Sequence, residues 1–129
     1  DTRTPEEYAA GHVAGAVNIP TADIVINVPV KNMLTSQKKI EKVMGSNGIS
    51  NDTLVLAYDA NKMGASRLLW SLFMFGHQKV KVVDGGFDAI QTAGIQLSTD
   101  IEAPAEATGS QRWTRFAHRL RTRIRTPFC

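Results

Sequence analysis

One stretch of this sequence combines acidic, amide and basic side chains in the manner of an anion-binding loop. Its nine residues are Asp59, Ala60, Asn61, Lys62, Met63, Gly64, Ala65, Ser66 and Arg67. The stretch follows an apolar run and leads into an amphipathic pattern, so its backbone N–H groups should converge at the positive end of a helix and attract a negative group. The alternative is that the carboxylate of Asp59 is itself that group and caps the helix. The residues favour the cap.

Several kinds of chemistry are not supported by the residues around this loop. Asn61 stands two places after Asp59, so the paired carboxylates of aspartyl-phosphate phosphatases are absent, and no glycine-rich loop ends in Lys-Ser or Lys-Thr. The only cysteine is Cys129, the last residue, which allows no internal disulfide, zinc cluster or Cys-x-x-Cys pair. A terminal thiol lacks the fixed geometry that catalysis needs. We therefore expect no metal ion and no cofactor.

A second group of polar residues lies at the start of the chain. Asp1 and Arg3 could pair with helix ends or with each other, and His12 lies in a tight turn between Gly11 and Gly15. A lone histidine in such a turn is more often a hydrogen-bonded structural residue than a base or a ligand. We therefore predict a structural role for His12.

The elements that would position these residues alternate along the chain. Helices are predicted at 5–10, at 36–44 with an end at Gly45, at 64–75 with a cap at Gly76, and after Gly86 as far as Ala93; strands are predicted at 16–19, 53–58 and 80–83. The 53–58 run is continuously apolar, which is typical of a strand buried on both faces, and the 64–75 helix has apolar residues on more than one face, which predicts that it is well buried. This order predicts a parallel α/β sheet with right-handed crossovers. Asp59 then lies at the carboxyl end of a strand, where such sheets bind ligands.

The length of 129 residues predicts a single domain. The charged residues of this chain are distributed unevenly along it. All 12 acidic residues precede Gly109, whereas the last 21 residues carry six arginines and no acid. We predict a domain over 1–98, a linker over 99–110 and an Arg-rich tail over 111–129 that is non-native or out of frame. A nucleic-acid patch is the less favoured interpretation of the tail. No run of apolar residues is long enough to span a bilayer. We expect no nucleic-acid partner, no membrane partner and a cytoplasmic location.

The opening residues resemble a known family signature. They follow the pattern Asp-x-Arg, Glu-Tyr-x-x-Gly-His-x-x-Gly-Ala-x-Asn-Ile-Pro of rhodanese (sulfurtransferase) domains, at Asp1, Arg3, Glu7, Tyr8, Gly11, His12, Gly15, Ala16, Asn18, Ile19 and Pro20. The second half adds segments similar to the family's loop, helix and Gly-Gly-aromatic corner: 58–59, 66–70, 75–77 and Val83, Asp84, Gly85, Gly86 and Phe87. The resemblance covers residues 1 to about 97.

The resemblance implies a three-layer α/β/α fold with a parallel sheet of about five strands. It also implies that a cysteine at the head of the loop would carry a persulfide cradled by backbone amides, and Asp59 stands at that position. A carboxylate cannot accept sulfane sulfur, so we expect the domain to be catalytically silent. The family's first strand normally precedes Asp-x-Arg; we expect that it is either omitted from this numbering or lost as an edge strand.

The chain is most similar to the non-catalytic first half of tandem thiosulfate or 3-mercaptopyruvate sulfurtransferases. This similarity implies a second, cysteine-bearing rhodanese domain as partner, or self-association through the surface left uncovered. Two alternatives stay open: a stand-alone module that binds small sulfur anions, other anions or an acidic peptide near Lys62 and Arg67, and an active sulfurtransferase that uses Cys129.

Overall fold

A computed structural model describes residues 1–60 and 63–101. Residues 102–110 of the predicted linker and the Arg-rich tail over 111–129 lie outside the described residues. The helices are α1 (Pro5–Ala10), α2 (Gln37–Ser46), α3 (Met63–Met74), α4 (Gly86–Thr92) and a 3-10 helix (Thr21–Ile24). The strands are β1 (His12–Val13), β2 (Val25–Ile26), β3 (Met33–Leu34), β4 (Val55–Ala57), β5 (Val80–Val82) and β6 (Leu97–Ser98).

The strands form three two-stranded pairs. β4 and β5 are parallel, with Val55 opposite Val80 and Ala57 opposite Val82. β1 pairs with β6, and β2 pairs with β3, both antiparallel. The predicted α/β class with a parallel sheet is confirmed, but the residues that the structure describes form short ladders and not one five-stranded ladder.

Residues 1–2 join β4 to the stretch that was predicted as a strand over 16–19. The Asp1 nitrogen donates to the Val17 carbonyl at 2.9 Å and the Asp1 carbonyl accepts from Ile19 N–H at 2.8 Å. Thr2 N–H donates to the Tyr58 carbonyl at 3.0 Å, at the end of β4. The 16–19 stretch therefore makes sheet-like bonds without being a regular strand. Asp1 and Thr2 thus connect this stretch to the end of β4 by backbone hydrogen bonds.

The helix starts follow from the local sequence. Thr4 and Glu7 form a reciprocal capping box at α1, which has Pro5 at its first position. The Ser36 side chain accepts from Lys39 N–H and begins α2, and Ile40 and Met44 of that helix are buried as its periodicity predicted. The helix continues through Gly45 to Ser46, so the predicted end at Gly45 was one residue early.

Two predictions of burial were wrong. In β4 the side chains alternate, with Val55 and Ala57 buried but Leu54 and Leu56 more than half exposed, at 55% and 59%. Helix α3 buries only one side, and exposes the side that carries Trp70. An apolar pattern shows that a residue can be buried, but it does not show whether another layer lies over it.

Candidate functional site

Asp59 lies two residues after the end of β4 and is only 4% exposed. Its Oδ2 atom accepts a hydrogen bond of 2.8 Å from the backbone N–H of Ala65, in the first turn of α3. The carboxylate thus satisfies an amide that would otherwise lack an intrahelical partner. The interpretation of Asp59 as a helix cap is confirmed.

Gly64 lies where three oxygen atoms converge. A Cβ atom built on Gly64 would be 2.7 Å from Thr21 Oγ1, 2.9 Å from Thr2 Oγ1 and 3.1 Å from Asp59 Oδ2. Real Cβ atoms do not approach polar atoms so closely without displacement of the neighbours, so a glycine is required here by space and not by backbone angles. Sequence reasoning named Gly64 as part of the loop but missed Thr2 and Thr21, because they are distant in sequence and carry no distinguishing pattern.

The Gly85-Gly86 corner packs against the backbone of the loop. Phe87 N–H donates to the Asp59 carbonyl at 2.8 Å. Gly86 has φ 61°, and a Cβ atom there would lie 2.5 Å from the same carbonyl oxygen. Asp84, which the sequence also singled out, is an exposed residue of the turn before this corner. The corner therefore fixes the backbone of Asp59 while Ala65 fixes its side chain.

Arg3 joins the opening segment to this corner. It forms a buried ion pair with Asp1, with 2.6 Å between Nη2 and Oδ2, and Nη2 also donates to the Gly11 carbonyl at 2.7 Å. The guanidinium lies 3.6 Å from the centre of the Phe87 ring. Of the two arrangements left open by the sequence, Asp1 and Arg3 pair with each other, and the pair is structural.

His12 is buried at 1% exposure and has the structural role that its context predicted. Its Nδ1 atom lies 2.8 Å from the Tyr8 carbonyl oxygen, and its ring stacks on the Tyr8 ring at 3.8 Å. The Asn18 amide donates to the carbonyls of Asp1 and Arg3. Gly15, with φ 82°, forms the turn after His12.

A cleft of about 1090 Å³ opens in front of the loop. Its walls come from the opening segment, the 3-10 helix region, the loop and α3: Thr2, Arg3, Thr4, Pro5, Glu6, Glu7, Pro20, Thr21, Ala22, Val25, Asn32, Asp59, Ala60, Met63, Gly64, Ser66, Arg67 and Trp70. Asn61 and Lys62 lie outside the described residues. Of the predicted anion-binding candidates, the structure brings Asp59, Ala60, Met63, Gly64 and Arg67 to the cleft, and Ala65 supplies the amide bonded to Asp59.

The cleft carries opposite charges on its walls. The Arg67 guanidinium lies 5.1 Å from the centre of the Trp70 ring, and its buried Nε atom has no hydrogen-bond partner among the described residues. Glu6 is exposed on the α1 wall. The Asp59 carboxylate already occupies the Ala65 amide, so this amide is not available to an incoming anion, whereas Arg67 lines the cleft.

Burial shifts the ionisation of two side chains outside this cleft. It raises the pKa of Tyr58, against the opposing effects of the hydrogen bond from Val13 N–H and the charge of Arg3. Burial also lowers the pKa of His77.

Within 1–60 and 63–101, no three His, Cys, Asp or Glu side chains are grouped so that they could hold a metal ion. No helix in that part of the chain is both long and apolar enough to cross a membrane.

This geometry defines an α/β domain with a capped loop at the carboxyl end of a parallel strand, and comparison with known proteins gives its family. Residues 1–93 match the rhodanese-like domain. The chain therefore belongs to the rhodanese-like domain family.

The relatives are sulfurtransferases by name. The chain is 35% identical over 102 residues to a putative thiosulfate sulfurtransferase of Mycobacterium leprae. This aligned region covers 78% of the chain and 35% of the relative. It is 37% identical over 107 residues to the thiosulfate sulfurtransferase of Gallus gallus, covering 79% and 37%. The chain thus spans about a third of the length of these relatives.

Solved structures give the same fold. The 3-mercaptopyruvate sulfurtransferase from Leishmania major superimposes with a TM-score of 0.72 and 27% identity, covering 81% of this chain and 31% of that one. The anaerobic ergothioneine biosynthesis enzyme from Chlorobium limicola superimposes with a TM-score of 0.69 at 21% identity, over 90% of this chain and 33% of that one. The second likeness concerns the fold alone.

Proposed function

We propose that this chain is a rhodanese-like domain of a thiosulfate or 3-mercaptopyruvate sulfurtransferase and is catalytically silent by itself. The observation that carries the proposal is the hydrogen bond between the buried Asp59 carboxylate and Ala65 N–H. Active members of the family carry a cysteine at the head of this loop. A carboxylate cannot form a persulfide, and the only thiol of the chain is Cys129.

The role of such a domain is to pack against a second, cysteine-bearing rhodanese domain and to form one wall of its active site. The cleft in front of Asp59 supports this role, since it is open and has Arg67 and Trp70 on its rim. The sulfurtransferase relatives are about three times as long as the matched region, which is long enough for a second domain of this size. A cytoplasmic location, in which one unpaired cysteine is ordinary, completes the proposal.

Thiosulfate–cyanide assays on the purified chain test catalytic silence. The chain and its Cys129→Ser variant are expected to form thiocyanate at the same background rate, because neither has a thiol in the loop. Turnover in the chain that disappears in Cys129→Ser would overturn the proposal. Turnover that persists in the variant would overturn it as well, since it would require a nucleophile other than sulfur.

A second candidate function is a module that binds a small anion or an acidic peptide. The Arg67 Nε atom favours it, since this donor is buried and has no partner among the described residues. Calorimetric titration with thiosulfate, and with sulfate as a second probe, would show binding that is lost in Arg67→Ala but kept in Lys79→Ala. The Lys79 side chain is an exposed cation that is not among the residues of the cleft.

A further inference from the structure

The sequence Asn47-Gly48 at the end of α2 carries a reactivity that the proposed function does not use. Asparagine followed by glycine is the dipeptide most prone to deamidation, because glycine has no side chain to hinder the attack of its backbone nitrogen on the asparagine side chain. Asn47 is the only asparagine of the sequence that precedes a glycine. Asn47 is half-buried and Gly48 is exposed, so water can reach this pair.

Helix α2 ends at this pair in a Schellman motif. Gly48 has φ 75°, in the left-handed region that favours glycine. The Gly48 N–H donates to the Gly45 carbonyl at 3.0 Å, and the Ile49 N–H donates to the Met44 carbonyl at 2.9 Å. Ile49 and Met44 are both buried in the core. The glycine that makes Asn47 reactive is therefore the residue that the helix end requires.

Both groups that would react are held by hydrogen bonds in the folded helix. The nucleophile is the Gly48 nitrogen, whose N–H is bound to the Gly45 carbonyl. The leaving group is the Asn47 side-chain nitrogen, Nδ2, which donates to the Val43 carbonyl at 2.8 Å. These two bonds oppose the approach of the Gly48 nitrogen to Cγ of Asn47. Helix ends open locally at a lower free energy than the whole fold, and such opening releases both groups.

We propose that Asn47 is a deamidation site that reacts only while the last turn of α2 is open. The Gly48 nitrogen attacks Cγ of Asn47, so that a new N–Cγ bond forms and the Cγ–Nδ2 bond breaks. The Gly48 proton leaves with Nδ2 as ammonia. Water then opens the resulting succinimide at either carbonyl and gives aspartate or isoaspartate. This inference goes beyond the proposed function, because it concerns the end of α2 and not the loop that starts at Asp59.

The product of this reaction weakens the helix end that protected the asparagine. An ionised aspartate at position 47 has no proton to donate to the Val43 carbonyl, and its negative charge is unfavourable at the C-terminus of a helix. Isoaspartate adds a methylene group to the main chain before Gly48, which displaces the N–H groups of Gly48 and Ile49 from their acceptors. Deamidation therefore makes the opening of α2 permanent.

Peptide mapping by mass spectrometry tests the site with a matched variant. The chain is incubated in mildly alkaline buffer, with and without enough urea to unfold it. We expect Asn47 to deamidate at least roughly 10-fold faster in urea, because two hydrogen bonds must break in the folded chain. Gly45→Ala favours the helix and keeps the Asn47-Gly48 sequence, and no atom lies within 4 Å of its Cβ position. It should slow the folded-state reaction by roughly 2-fold to 5-fold and leave the rate in urea unchanged.

Three results of this experiment would overturn the proposal. A chain that does not deamidate at Asn47 in urea has no such site. Equal rates with and without urea would mean that the end of α2 does not protect the asparagine. A folded Gly45→Ala variant that reacts as fast as the wild type would mean that opening of this turn does not control the reaction. Circular dichroism checks that the variant is folded.

Asn47→Asp tests the effect of the product on the helix. This variant should have a lower free energy of unfolding in urea than the wild type. Asn51→Asp is the control, because it makes the same change at an exposed turn residue outside α2. Equal losses of stability for the two variants would contradict the role of the Asn47 amide at the helix end. The thiosulfate–cyanide assay is independent of these measurements, so either proposal can fail without the other.

Discussion

The Oδ2 atom of Asp59 lies 2.8 Å from the backbone nitrogen of Ala65, and the carbonyl oxygen of Asp59 lies 2.8 Å from the backbone nitrogen of Phe87. One residue therefore holds the start of α3 through its side chain and the start of α4 through its backbone. The side-chain bond depends on the residue type, whereas the backbone bond would persist with any residue. Substitutions at position 59 thus change the side-chain bond to Ala65 and leave the backbone bond to Phe87 in place.

Removing the Asp59 carboxylate should destabilise the fold. Asp59→Ala leaves the Ala65 N–H without its acceptor in a buried position, which costs about 1–3 kcal/mol. Asp59→Asn keeps an oxygen that can accept this bond, and should cost less. The free energy of unfolding in urea measures both. Asp52→Ala is the control, because the Asp52 side chain is exposed and lies 3.8 Å from Lys79, a surface pair that contributes little. Equal losses for Asp59→Ala and Asp52→Ala would contradict the cap.

Replacing the carboxylate with a thiol should give the loop the ability to hold sulfur. In Asp59→Cys, the thiolate would attack the sulfane sulfur of thiosulfate and release sulfite, and cyanide would then remove that sulfur as thiocyanate and regenerate the thiolate. We expect cyanide-labile sulfur bound by Asp59→Cys in a Cys129→Ser background. The control is Asp59→Ser in the same background, which has no thiol.

The amount of bound sulfur decides the outcome of this experiment. Sulfur approaching one atom per chain would mean that the backbone amides near the start of α3 still form a cradle once the carboxylate is gone. If Asp59→Cys reacts with a thiol reagent but retains no cyanide-labile sulfur, the loop lacks the cradle. The domain would then resemble active members in the position of residue 59, but its loop would not hold a persulfide.

The cap at Asp59 could be predicted from the sequence because capping is a local interaction between a strand end and the next helix. The structural role of His12 could be predicted for the same reason. The contacts of Gly64 with Thr2 and Thr21 could not, since they join residues about 40 to 60 positions apart. The exposure of Leu56 and Trp70 could not be predicted either, because an apolar pattern gives the direction of a side chain and not what lies beyond it.

A methyl group at Gly64 should be harmful although the residue lies in a helix. Gly64→Ala would improve helix propensity by about 1 kcal/mol, yet its Cβ atom would lie within 3.1 Å of three oxygen atoms. Overpacking of this kind costs about 1–3 kcal/mol, so we expect a net loss of stability. Urea unfolding measures the change.

Gly45→Ala is the matched control for this substitution. Gly45 lies in α2, and no atom is within 4 Å of the Cβ position there. The same change should therefore stabilise the protein by about 0.5–1 kcal/mol. Opposite signs for the two glycines are the expected result. A gain at both positions would mean that the threonine hydroxyls move aside at no cost, and that Gly64 is not required for the shape of the loop.

The burial of His77 should make the stability of the domain depend on pH. Burial lowers the pKa of this histidine below its ordinary value of 6.5, while the nearby carbonyl of Lys79 acts in the opposite direction. Well above pH 6.5 the ring is neutral in both the folded and the unfolded chain, so it does not make the stability depend on pH there. As the pH falls below 6.5, the unfolded chain binds a proton that the folded chain resists, and the free energy of unfolding decreases until the folded-state pKa is reached.

The variant His77→Gln isolates this contribution, because glutamine does not titrate while His12, His118 and all carboxylates are the same in both proteins. We therefore expect the difference in free energy of unfolding between the wild type and His77→Gln to be constant at neutral and alkaline pH, and to shift against the wild type as the pH falls below about 6.5. Urea unfolding from about pH 8 to about pH 5 brackets that range. A difference that stays flat would mean that His77 binds its proton equally well in both states. A shift in favour of the wild type would mean that the folded chain stabilises the charged ring, so that the hydrogen bonds to the Lys79 and Thr53 backbone, together with the charge of Asp52, outweigh burial.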